Sequence, residues 1–198
     1  MDGGMMTVDP VAILKRFYSP DSSLYSLVLA HGRAVAEKSV KIAKALPHHT
    51  MDMAFLKTAA QLHDIGIIHV KAPSLGCNGD HPYVCHGILG RQMLDEIGLP
   101  KHGLVCERHV GVGISVKEII AQKLPLPMRD MQPVSLEEKI IAYADKFFSK
   151  TTSWRQQEKT IPEIVNGLKK YGTRQVEIFL SWAALFGDTP HTDGIKSN

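Results

Sequence analysis

An all-α helical bundle is the fold this sequence predicts, and three observations predict it. Apolar residues recur at helical spacing along most of the chain, capping residues stand at the heads of those stretches, and no segment alternates as a strand does. Asp9-Pro10 reads as an N-cap with proline at the first helical position, opening a short helix to about Tyr18. Ser22 or Ser23 caps the next helix. Its apolar stripe runs Leu24, Val28, Val35 and Ile42 with His31 on the same face, and Pro47 is its expected stop. Asp52 opens a third helix that reaches His63-Asp64, after which Gly66 lets the chain turn. Lys71 to Asp80 reads as a loop, expected to form a rim of the active site. Helices are expected over about 82–97, around Leu104 and over about 115–123. A capping box at Ser135 and Glu138 opens another that runs to about Lys150. Stretches at about 162–171 and 174–186 complete the set, and the polar tail after Gly187 is expected to be loose.

The 198 residues suit a single domain, with a core over about 24–150 and a helical extension over about 160–187. A 44% apolar share is ample for a packed interior. The net charge of +3 is too small to point to nucleic-acid binding, and Lys169, Lys170 and Arg174 read as a solvated helix face. Cys77, Cys85 and Cys106 are odd in number and contain no CxxC pair, so reduced thiols are expected rather than disulfides or a zinc knuckle. The N-terminus lacks a signal-peptide pattern, and no apolar run approaches the roughly 20 residues of a membrane span. The expectation is a soluble, cytoplasmic protein with no membrane partner. A homo-oligomer is left open.

The chemistry lies in histidines and aspartates on inward faces. His63 and Asp64, side by side at a helix end, point about 100° apart on the helical wheel and can share one ion only where the backbone relaxes. His31 on its apolar stripe, taken alone, reads as an ordinary core histidine. Asp145 lies three and four residues from the core-facing Ala142 and Ile141, where an ionised carboxylate costs several kcal/mol unless a cation or several donors meet it. A metal would meet it, and so would a buried arginine. His86 and His109 extend the set to six ligand-type residues on four or five helices, the way helical bundles build metal centres. His81 and His102 are weaker rivals for the last two places.

The order of His31, His63-Asp64-Ile65-Gly66, His86, His109 and then Asp145 within Ala144-Asp145-Lys146 resembles the HD superfamily of metal-dependent phosphohydrolases. The literal HDIG tetrapeptide resembles its HDIG-containing subgroup. The resemblance spans about Leu24 to Lys150. It implies an all-α fold with His31, His63, Asp64 and Asp145 as core metal ligands, His63 and Asp64 being also the expected catalytic pair. It further implies that His86 and His109 hold a second ion with Asp64 bridging. Nitrogen and carboxylate ligands suit divalent iron, manganese, zinc or nickel. The chain lacks the acidic pair after HD that marks guanosine-tetraphosphate hydrolases and the GYP signature of cyclic-di-GMP phosphodiesterases, so no substrate follows from the resemblance. The reaction expected is hydrolysis of a small-molecule phosphate ester or anhydride, with nucleotides as candidates. Arg33, Lys71, Arg91, Arg108 and Lys146 are the cations near the ligands in sequence and candidate substrate contacts. Two rival readings use the same six residues: an HD-type di-iron oxygenase, and a nucleotide-binding signalling module.

Overall fold

The computed structural model describes residues 8–46, 48–150 and 158–188. Nine α-helices are found among them: α1 (Pro10–Phe17), α2 (Ser23–Lys44), α3 (Met53–Leu62), α4 (His86–Glu96), α5 (Pro100–Arg108), α6 (Val116–Gln122), α7 (Leu136–Asp145), α8 (Ile161–Leu168) and α9 (Thr173–Leu185). Their heads lie where polar side chains can serve orphan backbone N–H groups. Asp9 accepts from the Val11 and Ala12 amides, Ser22 from Tyr25 and Asp52 from Phe55, while Ser115/Glu118 and Thr160/Glu163 form reciprocal boxes. No helix of the described residues is long and apolar enough to cross a membrane. The expected stop at Pro47 and the polar tail beyond Asp188 lie outside the described residues.

Helix pairs α2/α3 and α4/α5 pack side by side, and α7 lies across α2, α3 and α5. One apolar cluster joins Val35, Leu56 and Ala59 to Ile140, Ile141 and Tyr143 of α7 and to Phe179 of α9. The Tyr143 and Phe179 rings stack at 4.9 Å, a contact worth about 1 kcal/mol beyond the area it buries. A second cluster gathers Leu14, Tyr18, Val28, Leu62 and Ile65. Here the Tyr18 hydroxyl donates to the Ile65 carbonyl, which ties α1 to the chain just after Asp64.

Several local expectations need correction. Gly66 has no left-handed φ and does not serve a turn. It sits in a short 3-10 segment, Ile65–His69, where a Cβ would lie 2.1 Å from the His86 carbonyl oxygen and 2.3 Å from the Gly90 nitrogen. Its smallness lets the chain after Asp64 touch the backbone of α4. The segment from Lys71 is a small antiparallel hairpin, Lys71–Ala72 against Cys77–Asn78. Its buried Cys77 packs in the cluster of Leu14, Tyr18 and Val28, so apolar anchoring draws it away from the cavity described below, and none of residues 71–80 lines that cavity. Helix α7 ends at Asp145 rather than near Lys150, the chain tightening into i→i−3 bonds from Lys146 to Phe148. Glu138 does not close the expected box on Ser135; its carboxylate accepts instead from the Val134 amide and from Arg108. Arg174 is a strut rather than a solvated charge, bonding Glu118 and the Gln132 side chain.

Candidate metal centre

Three of the helices described above, α3, α5 and α7, end at the same place. His63 follows the last residue of α3, His109 follows the last residue of α5, and Asp145 is the last residue of α7. His86 begins α4, and His31 lies on the buried stripe of α2 with Val28, Gly32 and Val35. Gly32 makes that stripe close-fitting, since a Cβ there would come 2.6 Å from the Gln61 carbonyl oxygen of α3. The six residues converge and all are buried.

Two ligand-like groups share Asp64. His31, His63, Asp64 and Asp145 offer donor atoms within 4.8 Å of one another, and so do Asp64, His86 and His109. His31 Nε2 lies 2.9 Å from Asp145 Oδ1 and 3.3 Å from Asp64 Oδ2. His63 Nε2 lies 3.4 Å from both carboxylates. On the other side of Asp64, Oδ1 lies 3.4 Å from His86 Nε2 and 3.4 Å from His109 Nε2.

The ring tautomers follow from the neighbours. His63 Nδ1 is 2.6 Å from the Ala60 carbonyl, His86 Nδ1 is 2.7 Å from that of Tyr83, and His109 Nδ1 is 2.8 Å from that of Cys106. A carbonyl only accepts, so each Nδ1 carries a proton; the neutral His86 and His109 rings present their Nε2 lone pairs to the centre, and His63 does so once it gives up its second proton. His86 and His109 thus face each other, Nε2 to Nε2, at 3.1 Å. Between two lone pairs at that distance a cation is the missing partner. His63 Nε2 and Asp64 Oδ1 are buried without a well-formed hydrogen bond, which is costly unless an ion or proton meets them. A carbonyl holding the second ring nitrogen is the usual support of a metal-bound histidine. The residues present therefore suit a divalent ion.

Without an ion, charge is balanced by other means. Lys150 Nζ stands 2.7 Å from Asp64 Oδ2 and 3.8 Å from Asp145 Oδ1, and Lys146 Nζ stands 2.7 Å from Asp145 Oδ2. Burial alone would raise both carboxyl pKa values, but Lys150 beside Asp64 and Lys146 with Lys150 beside Asp145 outweigh it, and both stay well below the usual range. Burial pushes His31 down to about 4 and His86 to about 3. At His63 burial acts in the same sense, yet Asp64 and Asp145 overcome it and raise the ring to about 9. Metal-free, the carboxylate pair holds a proton on His63.

Of the five cations expected as substrate contacts, only Lys146 lines the cavity that opens on the centre, a space of about 630 Å³; Lys170, read in the sequence as part of a solvated face, lines it as well. Arg91 is bonded to Glu107 and Asp95, and Arg108 to Glu138. Arg33 and Lys71 are exposed and do not line the cavity. His102 is buried against Thr58, 2.9 Å away, and His81 is exposed beside the hairpin. Sequence reasoning missed Lys150 and Tyr83, which both line the cavity, the Tyr83 ring lying 4.7 Å from His86. Tyr83 could have been found as the residue three before a ligand-type histidine. Lys150 carries no such signal, because its approach to Asp64 depends on the tightened chain after α7.

The family model of the HD domain matches residues 28–149, which span all six converging residues. An uncharacterized protein of Methanocaldococcus jannaschii is 36% identical over 121 residues, covering 60% of this chain and 64% of the relative. The tRNA (cytidine(56)-2'-O)-methyltransferases of Picrophilus torridus and Thermoplasma volcanium are 33% and 28% identical over 123 and 165 residues. These alignments cover 62% and 83% of this chain but 32% and 42% of the methyltransferases. The chain thus spans less than two thirds of the length of the curated relatives it matches. Among solved structures, the HD domain of the L. monocytogenes phosphodiesterase PgpH superposes with a TM-score of 0.51 at 16% identity, covering 89% of this chain and 98% of that one, a likeness of fold. With more than half of its residues matched by the family model, the chain belongs to the HD domain family.

Proposed function

We propose that the protein is a metal-dependent phosphohydrolase with a binuclear centre, acting on a small organic phosphate. The observation that carries this reading is the pair of lone pairs at 3.1 Å on His86 and His109, across Asp64 from the His31, His63 and Asp145 group. His31, His63, Asp64 and Asp145 would hold one ion, and Asp64, His86 and His109 the other. Asp64 can serve both because its two oxygens face opposite ways, Oδ2 to His31 and His63 and Oδ1 to His86 and His109. When bound, divalent ions would supply Lewis acidity and bring the pKa of water from about 15.7 toward 7.

The protein's own part is to orient and to balance charge. The Ala60, Tyr83 and Cys106 carbonyls fix three rings, so little rotamer freedom is lost when a ligand arrives. Lys146 and Lys150 stand where the cavity meets the carboxylates. In the structure they pair with Asp145 and Asp64; were ions to take over those carboxylates, the same ammonium groups would be free to face phosphate oxygens. They replace Arg91 and Arg108 in that role, since those two are spent on Glu107 and Glu138. The apolar Val110, Val112 and Ile114 line the same cavity.

The test is to strip metal, reload with manganese, iron, zinc or nickel, and follow phosphate release from 4-nitrophenyl phosphate, its bis ester and a panel of nucleotides. Turnover that needs metal and is lost in Asp64→Asn supports the reading. A metal-loaded protein that turns over none of them refutes it.

A further inference from the structure

The cavity does not end at the metal centre. Beyond Lys146 and Lys150 its wall is α8 and the turn behind it, where Ile164, Leu168 and Tyr171 repeat at i, i+4 and i+7, with Gly167 and Lys170 beside them. The helical part of that wall, Ile161–Leu168, is about 12 Å long at roughly 1.5 Å per residue. Gly167 is the informative position. A glycine inside a helix costs about 1 kcal/mol relative to alanine. It has no left-handed φ, and a Cβ there would meet nothing within 4 Å. Neither backbone conformation nor close packing calls for glycine; the position is exposed and opens on the cavity, with room for a larger side chain to enter it. Lys159 and Lys170 line the same wall and are exposed, the Lys170 ammonium lying 4.8 Å from the centroid of the Tyr171 ring. The acids nearby are engaged elsewhere: Glu163 caps α8, and Glu118 is held by Ser115, Arg174 and Gln175. This half of the cavity offers the exposed Tyr171 ring, the open surface at Gly167 and two ammonium groups, with only the edges of the core residues Ile164 and Leu168 showing between them.

We infer that the α8 wall is a second subsite that holds the non-reacting half of an extended organic phosphate. The apolar or aromatic body lies over Gly167 and against the Tyr171 ring, touching the edges of Ile164 and Leu168, and a second anionic group falls to Lys159 and Lys170. The inference rests on the phosphohydrolase reading of the centre, and its test is binding, which is read separately from turnover. The probes are adenosine 3′,5′-bisphosphate, adenosine 5′-monophosphate and inorganic phosphate, titrated calorimetrically into the metal-loaded protein. The bisphosphate should bind about tenfold tighter than the monophosphate, a difference of about 1.4 kcal/mol, and Lys159→Ala with Lys170→Ala should erase that preference. Gly167→Trp should weaken both nucleotides about tenfold relative to inorganic phosphate, and Gly167→Ala, with melting temperature and metal content as folding controls, should weaken them far less. Equal binding of the two nucleotides by the unaltered protein overturns the inference, and so does a Gly167→Trp variant whose nucleotide-to-phosphate ratio is unchanged. If the binding pattern holds and no phosphate ester is hydrolysed, the subsite stands and the phosphohydrolase reading falls. Turnover without the binding pattern keeps the phosphohydrolase and removes the subsite.

Discussion

Replacing His86 by alanine is the sharpest test of two ions, because the structure assigns it effects of different sign on metal binding and on acid stability. The second ion would have three protein donors, Asp64, His86 and His109, and the substitution removes one. Losing a residue that merely supports a ligand costs 10–100-fold in metal affinity, so losing the ligand should cost at least about 100-fold, or about 2.7 kcal/mol. Bound metal at moderate excess should fall from about two ions per chain to about one, measured by elemental analysis after gel filtration. The metal-free protein should respond the other way in acid. Burial holds the His86 pKa down at about 3, whereas an unfolded histidine titrates near 6.5. A depressed histidine pKa means the unfolded chain binds the proton first, so stability is lost as pH falls below about 6.5. At pH 5 that penalty is about 2 kcal/mol for His86, and the variant does not incur it. Urea unfolding of metal-free wild type and His86→Ala at pH 8 and pH 5 should therefore show the gap between them shifting in favour of the variant by about 2 kcal/mol. Unchanged metal stoichiometry, or parallel pH dependence of the two proteins, would show that the imidazole is not held as a bare ligand.

Asp145→Ala should lower affinity for the first ion by at least about 100-fold and abolish hydrolysis while leaving helical content near wild type, checked by circular dichroism and metal analysis; normal turnover would remove Asp145 from the centre. Gly66→Ala should cost about 3 kcal/mol or more, since its methyl group meets the backbone of α4 at 2.1 Å, and an unchanged melting temperature would refute the close contact. His63, raised to about 9 above an unfolded value near 6.5, stabilises the metal-free protein fully below about 6.5 and loses that contribution as pH rises through 9. Metal needs the bare Nε2, so affinity should rise over the same interval, and close to one proton should be released per first ion at pH 7.5; no release in buffers of differing ionisation enthalpy would contradict this.

Much of the fold could be read from local signals. Caps at Asp9, Ser22, Asp52 and Ser115 act within a few residues, so their consequences are written in adjacent sequence. Apolar stripes placed His31, His86 and Asp145 on inward faces, whereas the meeting of all six ligand-type residues followed from the resemblance to the HD superfamily and not from periodicity. What was not legible depends on contacts distant in sequence. Arg91 and Arg108 are close to the ligands along the chain, but their partners Glu107 and Glu138 decide where they point. Gly66 looks like a turn residue until α4 is placed against it. Lys150 and Gly167 enter the cavity only through the packing of α7 and α8, which no periodicity reports.

The meeting of α3, α5 and α7 at one point has an electrostatic consequence of its own. Each is a helix of nine or ten residues, and each ends where the ligand-like side chains begin. Aligned peptide dipoles place roughly half a negative charge at a helix C-terminus, an influence confined to about the last turn. Three such ends at one buried volume, offset in part by the N-terminus of α4 at His86, leave a negative potential there before any carboxylate is counted. The backbone of the bundle itself therefore favours a cation at this point. It should retain part of that preference in a variant stripped of side-chain ligands, as a weak, salt-sensitive affinity for divalent ions.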